Sequence, residues 1–374
     1  MAGSTRTLPR RRCWLLGFLG LEGRSEVAWN HRVPANEPSG PWRSVFKERD
    51  PAVEGWLRSP ADPGVLALRQ HLESENCMSG MPAFSPSSAE FNVSRALESF
   101  QINGFVVLDN ALSKLQLEDL RKACSNIMDQ IFASDPEGSF GGGAGKLPHR
   151  YSLGDSSRTK SNFHLQAYAS LVDLETTTPL LMAIFGSHEY LAAGCGGDVA
   201  LAGAIEYQAL HPDAIWGPLD KHVADYDMPP AVTVNFALED LTAINGPMRV
   251  VPGSHRWRHR PPTLREEPDW MLLNTLCPIK AGAAILRDNR LWHGGTPNLS
   301  DRMRALPNME YFPPGALPSL GWLDRHTMPW QIWKDLPPLA QYISRYVVAP
   351  PEESIPGVNE YSPAAILEIM PFLR

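Results

Sequence analysis

The sequence predicts an α+β fold in which helices come first and antiparallel strands follow, the β half being most simply a sandwich or jelly roll. Three observations point there. Apolar residues recur at helical spacing over Phe91–Phe100 and Leu117–Ile131 and at a period of two beyond Gly196-Gly197. Proline makes up 35 of the 374 residues, well above the usual share of about 5%. It removes a backbone donor and breaks helices, so a helical bundle is disfavoured. Asn245-Gly246, between apolar alternations, is a strong short signal for a turn between strands.

Taken in order, Phe91 to Phe100 is amphipathic and stops at Gly104, and Phe105-Val-Val-Leu108 behind it reads as a strand. Ser113-Lys-Leu-Gln116 is a capping box. It opens a helix whose apolar face is Leu117, Leu120, Cys124, Ile127, Met128 and Ile131. A short apolar helix is predicted after Pro179. Val199, Leu201, Ile205, Tyr207 and Ala209 form an interrupted alternation, whereas Val232, Val234, Phe236 and Leu238 alternate cleanly with Thr233, Asn235 and Ala237. From the Asn245-Gly246 turn, Arg249-Val-Val251 is expected to return as the partner strand of a hairpin. Further strands are expected at Ala283–Leu286 and Met303–Phe312.

Residues 1–90 read as a partly disordered extension. Arg6, Arg10, Arg11 and Arg12 precede a short apolar run, Cys13 to Leu21, with no acidic residue before Glu22, a profile compatible with targeting to an organelle. The run is too short to cross a bilayer, which takes about 20 residues, so a cytoplasmic or organellar protein is expected, with no membrane partner. Residues 351–374 form a C-terminal tail. With 34 Lys and Arg against 41 Asp and Glu, the net charge is −7, which argues against a nucleic-acid partner. The 5 cysteines include no C-x-x-C pair, so neither a structural zinc nor a disulfide framework is indicated. Gly138 to Lys146 is glycine-rich but has Phe140 where a phosphate loop needs its first glycine, and Leu147 after the lysine. It reads as a loop able to close over a site.

No G-x-S-x-G elbow is present, and the histidines carry the chemical signal. His211-Pro-Asp213 ends a strand-like run. A histidine and a carboxylate two residues apart on extended chain point the same way, and both can bind one metal ion if a second histidine joins them. His-Pro-Asp is also an ordinary turn sequence, so the triplet alone leaves both readings open. Downstream, His293 follows a predicted strand and Arg304 opens the next. An arginine there can hold the far carboxylate of a dicarboxylate such as 2-oxoglutarate while the metal chelates its other end. A rival cluster, His222 with Asp220, Asp225 and Asp227, has a three-residue step that does not share a strand face. Tyr207 and Gln208 point to opposite faces, and Gln208 is the candidate for a 2-oxoglutarate contact. His149-Arg-Tyr151 is a second candidate to reach the cosubstrate. His255 reads as structural, and Arg256 to Arg260 as a solvated basic loop.

Four segments, in order, resemble the phytanoyl-CoA dioxygenase family. They are Phe100 to Leu108, Leu210 to Asp213, Val232 to Asp240 with Asn245 to His255, and His293 to Arg304, and the resemblance covers about residues 91–315. It implies a double-stranded β-helix of jelly-roll, cupin-like form within a catalytic domain of residues 91–350, with the N-terminal helices packed on one sheet. It also implies Fe(II) held by His211, Asp213 and His293, 2-oxoglutarate held by Arg304, and O2 as the other cosubstrate. The implied activity is oxidation of a small organic substrate with release of succinate and CO2. An inactive relative that only binds a metal or a small molecule is the alternative. Three positions depart from the family pattern: Pro212 between two ligands, Gly295 where members carry a hydroxyl, and Asn235 where some have a tryptophan.

Overall fold

The computed structural model describes residues 83–134, 150–204, 207–214, 228–264, 266–316 and 326–362, together with positions 70 and 81. The targeting-like segment, the Gly138–Lys146 loop, His149, Ile205, the His222 cluster and residues 363–374 lie outside them.

After a short strand β1 (Ala83–Phe84), helix α1 (Val93–Asn103) starts because the Asn92 side chain accepts from the N–H groups of Ser94 and Arg95. It stops at Gly104, whose φ of 82° is left-handed and whose N–H closes on the Phe100 carbonyl. Strand β2 (Phe105–Leu108) follows. Helix α2 (Lys114–Ser134) opens on the capping box, with Ser113 N–H donating to Gln116 Oε1 at 2.9 Å and Gln116 N–H to Ser113 Oγ at 3.2 Å. The remaining elements are β3 (Arg150–Ser152), α3 (Gln166–Ala169), α4 (Thr178–Phe185), β4 (Leu191–Ala200), β5 (Val232–Phe236), β6 (Met248–Val250), α5 (Asp269–Leu273), β7 (Ala284–Asp288), β8 (His293–Gly295), β9 (Arg304–Phe312), α6 (Trp330–Trp333) and α7 (Pro338–Ile343).

Seven strands form one sheet in the order β1-β2-β7-β5-β9-β4-β3, antiparallel except for the β1–β2 pair. Its outer face, with Val232, Val234, Phe236, Leu286, Met309 and Tyr311, packs against Leu120, Ile127 and Ile131 of α2 and Leu180 of α4. Its inner face sets Phe105, Val107, Ile285 and Leu306 against Met248, Val250 and Leu291 of the second layer. That layer is built on the β6–β8 pair. Residues 208–211 extend it on the far side of β8, through Gln208 N–H to the Gly295 carbonyl at 2.9 Å and reciprocal bonds between His211 and His293 at 3.0 Å. Two facing sheets with helices on the outside of one form the expected double-stranded β-helix.

The hairpin expected at Asn245-Gly246 does not form. β5 lies between β7 and β9, while β6 pairs with β8. The turn instead carries the chain from one layer to the other. The Asn245 side chain builds it, accepting from Thr242 N–H and donating to the Asp240 carbonyl, both at 2.8 Å, and Gly246 supplies a φ of 74°. The interrupted alternation over residues 199–209 likewise belongs to two layers, because β4 ends at Ala200 and the chain from Gln208 joins the small sheet. No helix among the described residues is long and apolar enough to cross a membrane.

Candidate metal centre

His211, Asp213 and His293 come together at the edge of the small sheet, with one ligand atom from each lying within 4.8 Å of the others. His211 and His293 face each other across an antiparallel bridge. Each imidazole Nδ1 donates at 2.9 Å to a carbonyl two residues back, that of Ala209 or Leu291. This fixes the ring and leaves the Nε2 lone pair toward the centre. The Nε2 atoms stand 3.7 Å and 3.6 Å from the Asp213 carboxylate. Pro212 fits between the ligands because no ladder bond is asked of it. The N–H of His211 goes to His293 and that of Asp213 to the Asn289 carbonyl.

Arg287 of β7, which the sequence reading passes over, bonds Asp213 Oδ2 at 2.6 Å and is itself held by the Asn235 side chain at 3.3 Å. Asn235 therefore supports a ligand through Arg287. Burial pushes the Asp213 carboxyl up, but Arg287 and the two imidazoles outweigh it and hold the group well below the usual carboxylate range. Burial, reinforced by Arg287, pushes His293 down to about 3, so its imidazole is neutral and able to ligate. Two imidazoles and one carboxylate, all from one side, fit a divalent transition metal that keeps other positions open.

Beside this centre lies a buried cationic pocket. Arg304 opens β9, and Arg150 in β3 lies across β4 from it, both opposite Ala200 and so on the same face of the sheet. Burial and the Arg150 guanidinium lower Arg304 to about 10. The Arg304 Nε has no hydrogen-bond partner among the described residues, and Nη1 reaches only the Asp198 carbonyl at 3.4 Å. Arg150 donates to the Thr296 carbonyl at 2.7 Å. A Cβ added at Gly295 would fall inside the Arg150 guanidinium, so the space where the family places a hydroxyl belongs here to an arginine. Gln208 Oε1 accepts from Gly295 N–H at 3.1 Å, which puts the glutamine at the same glycine. Two buried guanidinium groups with an unpartnered N–H fit an anionic guest such as a carboxylate.

The other candidates lie elsewhere. Tyr207 is buried with Leu272 and Leu299 under the Arg249 guanidinium. His255 packs on Gly104 with Nε2 3.2 Å from the Gln101 carbonyl, and Arg256 donates to that same carbonyl at 2.8 Å. Arg287 carried one signal in the sequence, its place directly after the apolar run Ala283–Leu286. Reading it required the pairing partner.

Residues 100–306, more than half of the chain, match the family described as Phytanoyl-CoA dioxygenase (PhyH). The chain belongs to the phytanoyl-CoA dioxygenase family. Among curated relatives of this family member is the dioxygenase andF of Emericella variicolor, 28% identical over 138 residues, or 36% of this chain. The match spans only 44% of that dioxygenase's length. Similar solved structures include AviO1 from Streptomyces viridochromogenes Tue57, 17% identical with a TM-score of 0.44, covering 61% of this chain and 98% of that one. EctD from S. alaskensis, solved with 2-oxoglutarate and 5-hydroxyectoine, is 22% identical with a TM-score of 0.42, covering 61% and 77% of the two chains.

Proposed function

We propose that this phytanoyl-CoA dioxygenase family member is an Fe(II)- and 2-oxoglutarate-dependent oxygenase acting on a small organic substrate. The observation that carries the reading is the convergence of His211, Asp213 and His293 next to the buried guanidinium of Arg304, whose Nε has no hydrogen-bond partner among the described residues. Iron would be held by the two Nε2 atoms and by the Asp213 carboxylate, whose Oδ1 is left by the Arg287 bond to Oδ2. With O2 and 2-oxoglutarate, bound iron supplies the oxidising power that attacks a C–H bond, with succinate and CO2 released.

The chain's own residues set the conditions for that chemistry. The backbone carbonyls of Ala209 and Leu291 aim both imidazoles. Arg287 fixes the carboxylate and, through Asn235, ties it to the large sheet. Arg304, with Arg150 beside it, receives the distal carboxylate of 2-oxoglutarate, and Gln208 borders the same pocket. Arg150, Arg287, Arg304 and His293 are buried, which strengthens their charge contacts, while His211 and Asp213 stay partly open to solvent.

Anaerobic titration with Fe(II) and 2-oxoglutarate tests the reading through the weak visible charge-transfer band of the chelate. The wild type is expected to show the band, and its absence would sink the proposal. His211→Ala or Asp213→Ala should abolish iron uptake, whereas His222→Ala should leave it in place. Arg304→Ala should raise the 2-oxoglutarate requirement while iron binding persists.

A further inference from the structure

The large sheet turns another charged side chain into the cavity. In the paired register Glu310 of β9, Thr233 of β5 and Arg287 of β7 form one row, and residues paired across strands share a face. Arg287 ends on Asp213, so Glu310 stands on the cavity side, two strands from the contact that fixes a metal ligand. Along β9, Arg304 and Glu310 lie on the same face, about 20 Å apart at the usual strand rise. The guanidinium groups of Arg150 and Arg304 mark one end of this face. Glu310 marks the other, with Asp213, Asp155 and Asp198 as its acidic electrostatic neighbours.

The Glu310 side chain has no hydrogen bond or ion pair among the described residues. Gly194 lies opposite it on β4, and a Cβ there would stand 2.7 Å from Oε2. The glycine is what allows the carboxylate to lie against that strand. Burial and the nearby Asp213 push the carboxyl up to about 7. A carboxylate placed among other carboxylates without a partner costs stability, and a guest cation would offset that cost. Arg287, the one cation among its electrostatic neighbours, is turned to Asp213.

We propose that Glu310 selects the substrate by receiving a protonated amine, so that the enzyme oxidises a small amine-bearing molecule whose ammonium group sits at the far end of the cavity from 2-oxoglutarate. This rests on the metal and cosubstrate reading above. It adds a charge rule to it: the anionic cosubstrate binds at the arginine end and the cationic substrate at the glutamate end.

The test uses phenethylammonium as probe, with 2-phenylethanol and 3-phenylpropionate as its neutral and anionic analogues. Each is titrated by calorimetry into the full-length protein, both metal-free and loaded anaerobically with Fe(II) and 2-oxoglutarate. The ammonium probe should bind at least about tenfold more tightly than either analogue, the scale of one charge-assisted contact. Glu310→Gln should abolish that preference while keeping the chelate band, and Glu310→Asp should restore part of it. Equal affinity for the three probes in the wild type, or a preference that survives in Glu310→Gln, would overturn the proposal. If Glu310→Gln does not fold, the wild-type order of the probes and the Glu310→Asp variant still decide. Absence of the chelate band would strike the cosubstrate reading instead, while the metal-free titrations would still judge Glu310.

Discussion

At Gly295 a side chain and a guanidinium compete for one volume. Arg150 fills the space a Cβ would need, so the sequence departure at Gly295 and the arginine on β3 make a single arrangement. Gly295→Ser would restore a hydroxyl near Arg304 but displace Arg150. We expect the 2-oxoglutarate concentration at half-saturation to rise about tenfold, the loss of one charge-assisted contact, with iron affinity unchanged, both read from the chelate band. An unchanged half-saturation would remove Arg150 from the cosubstrate pocket. Arg287 acts on the metal side of the same cavity. Arg287→Gln leaves Asp213 without its fixing partner, and outer contacts of this kind are commonly worth ten- to a hundredfold in metal affinity. A metal titration should therefore weaken by that order while half-saturation by 2-oxoglutarate, measured at saturating metal, stays near wild type.

At the scale of elements, the small sheet depends on one buried ion pair. Arg249 of β6 bonds Glu267 at 2.6 Å with both side chains at 0% exposure, and it also donates to the Gln208 carbonyl at 2.5 Å. It thus ties the loop before α5 to the segment that delivers His211. Removing one partner of such a pair leaves the other charge buried alone, so Arg249→Met should lower unfolding stability by about 3–5 kcal/mol. Changing both, Arg249→Met with Glu267→Leu, should cost clearly less. Denaturant unfolding of the two variants checks this, and equal losses would mean the pair itself is not the source. The strand at Arg249-Val-Val251 was legible in the sequence, but its partner β8 and the ion pair were not, because a three-residue strand is too short to show a period. β5 was legible since one face meets the helical layer and the other the cavity, which enforces strict alternation. The start of β4 was not, because Ala192, Ala193, Gly194 and Gly196 give no contrast between faces. His211 and Asp213 were legible as candidate ligands through their two-residue spacing and His293 through the family resemblance, whereas Arg287 and Glu310 acquire meaning only from cross-strand register.

For the molecule as a whole, two buried histidines act as clasps between separate parts of the chain. His255 joins the residues after β6 to the end of α1 through the Gln101 carbonyl and its packing on Gly104. His164 joins the segment before α3 to the C-terminal stretch through the Tyr361 hydroxyl at 2.9 Å. Burial lowers each to about 4 from an ordinary value of 6.5. For His255, Asp288 pulls the other way while Arg256 and Arg290 add to the lowering. Both clasps are therefore neutral in the folded protein, and the unfolded chain binds more protons between pH 6.5 and 4. Their contribution is fully present above pH 6.5, falls through that window and is gone below it. For one such histidine the loss by pH 5 is on the order of 2 kcal/mol. Glu310, raised to about 7, trends the opposite way, so the wild-type curve alone does not isolate the effect. The difference between wild type and His255→Asn does, because every group common to both cancels. Thermal midpoints measured from pH 7.5 to 5 should fall less steeply in His255→Asn, whatever its stability at neutral pH. Curves that stay parallel across the window would show that His255 takes no part in acid unfolding.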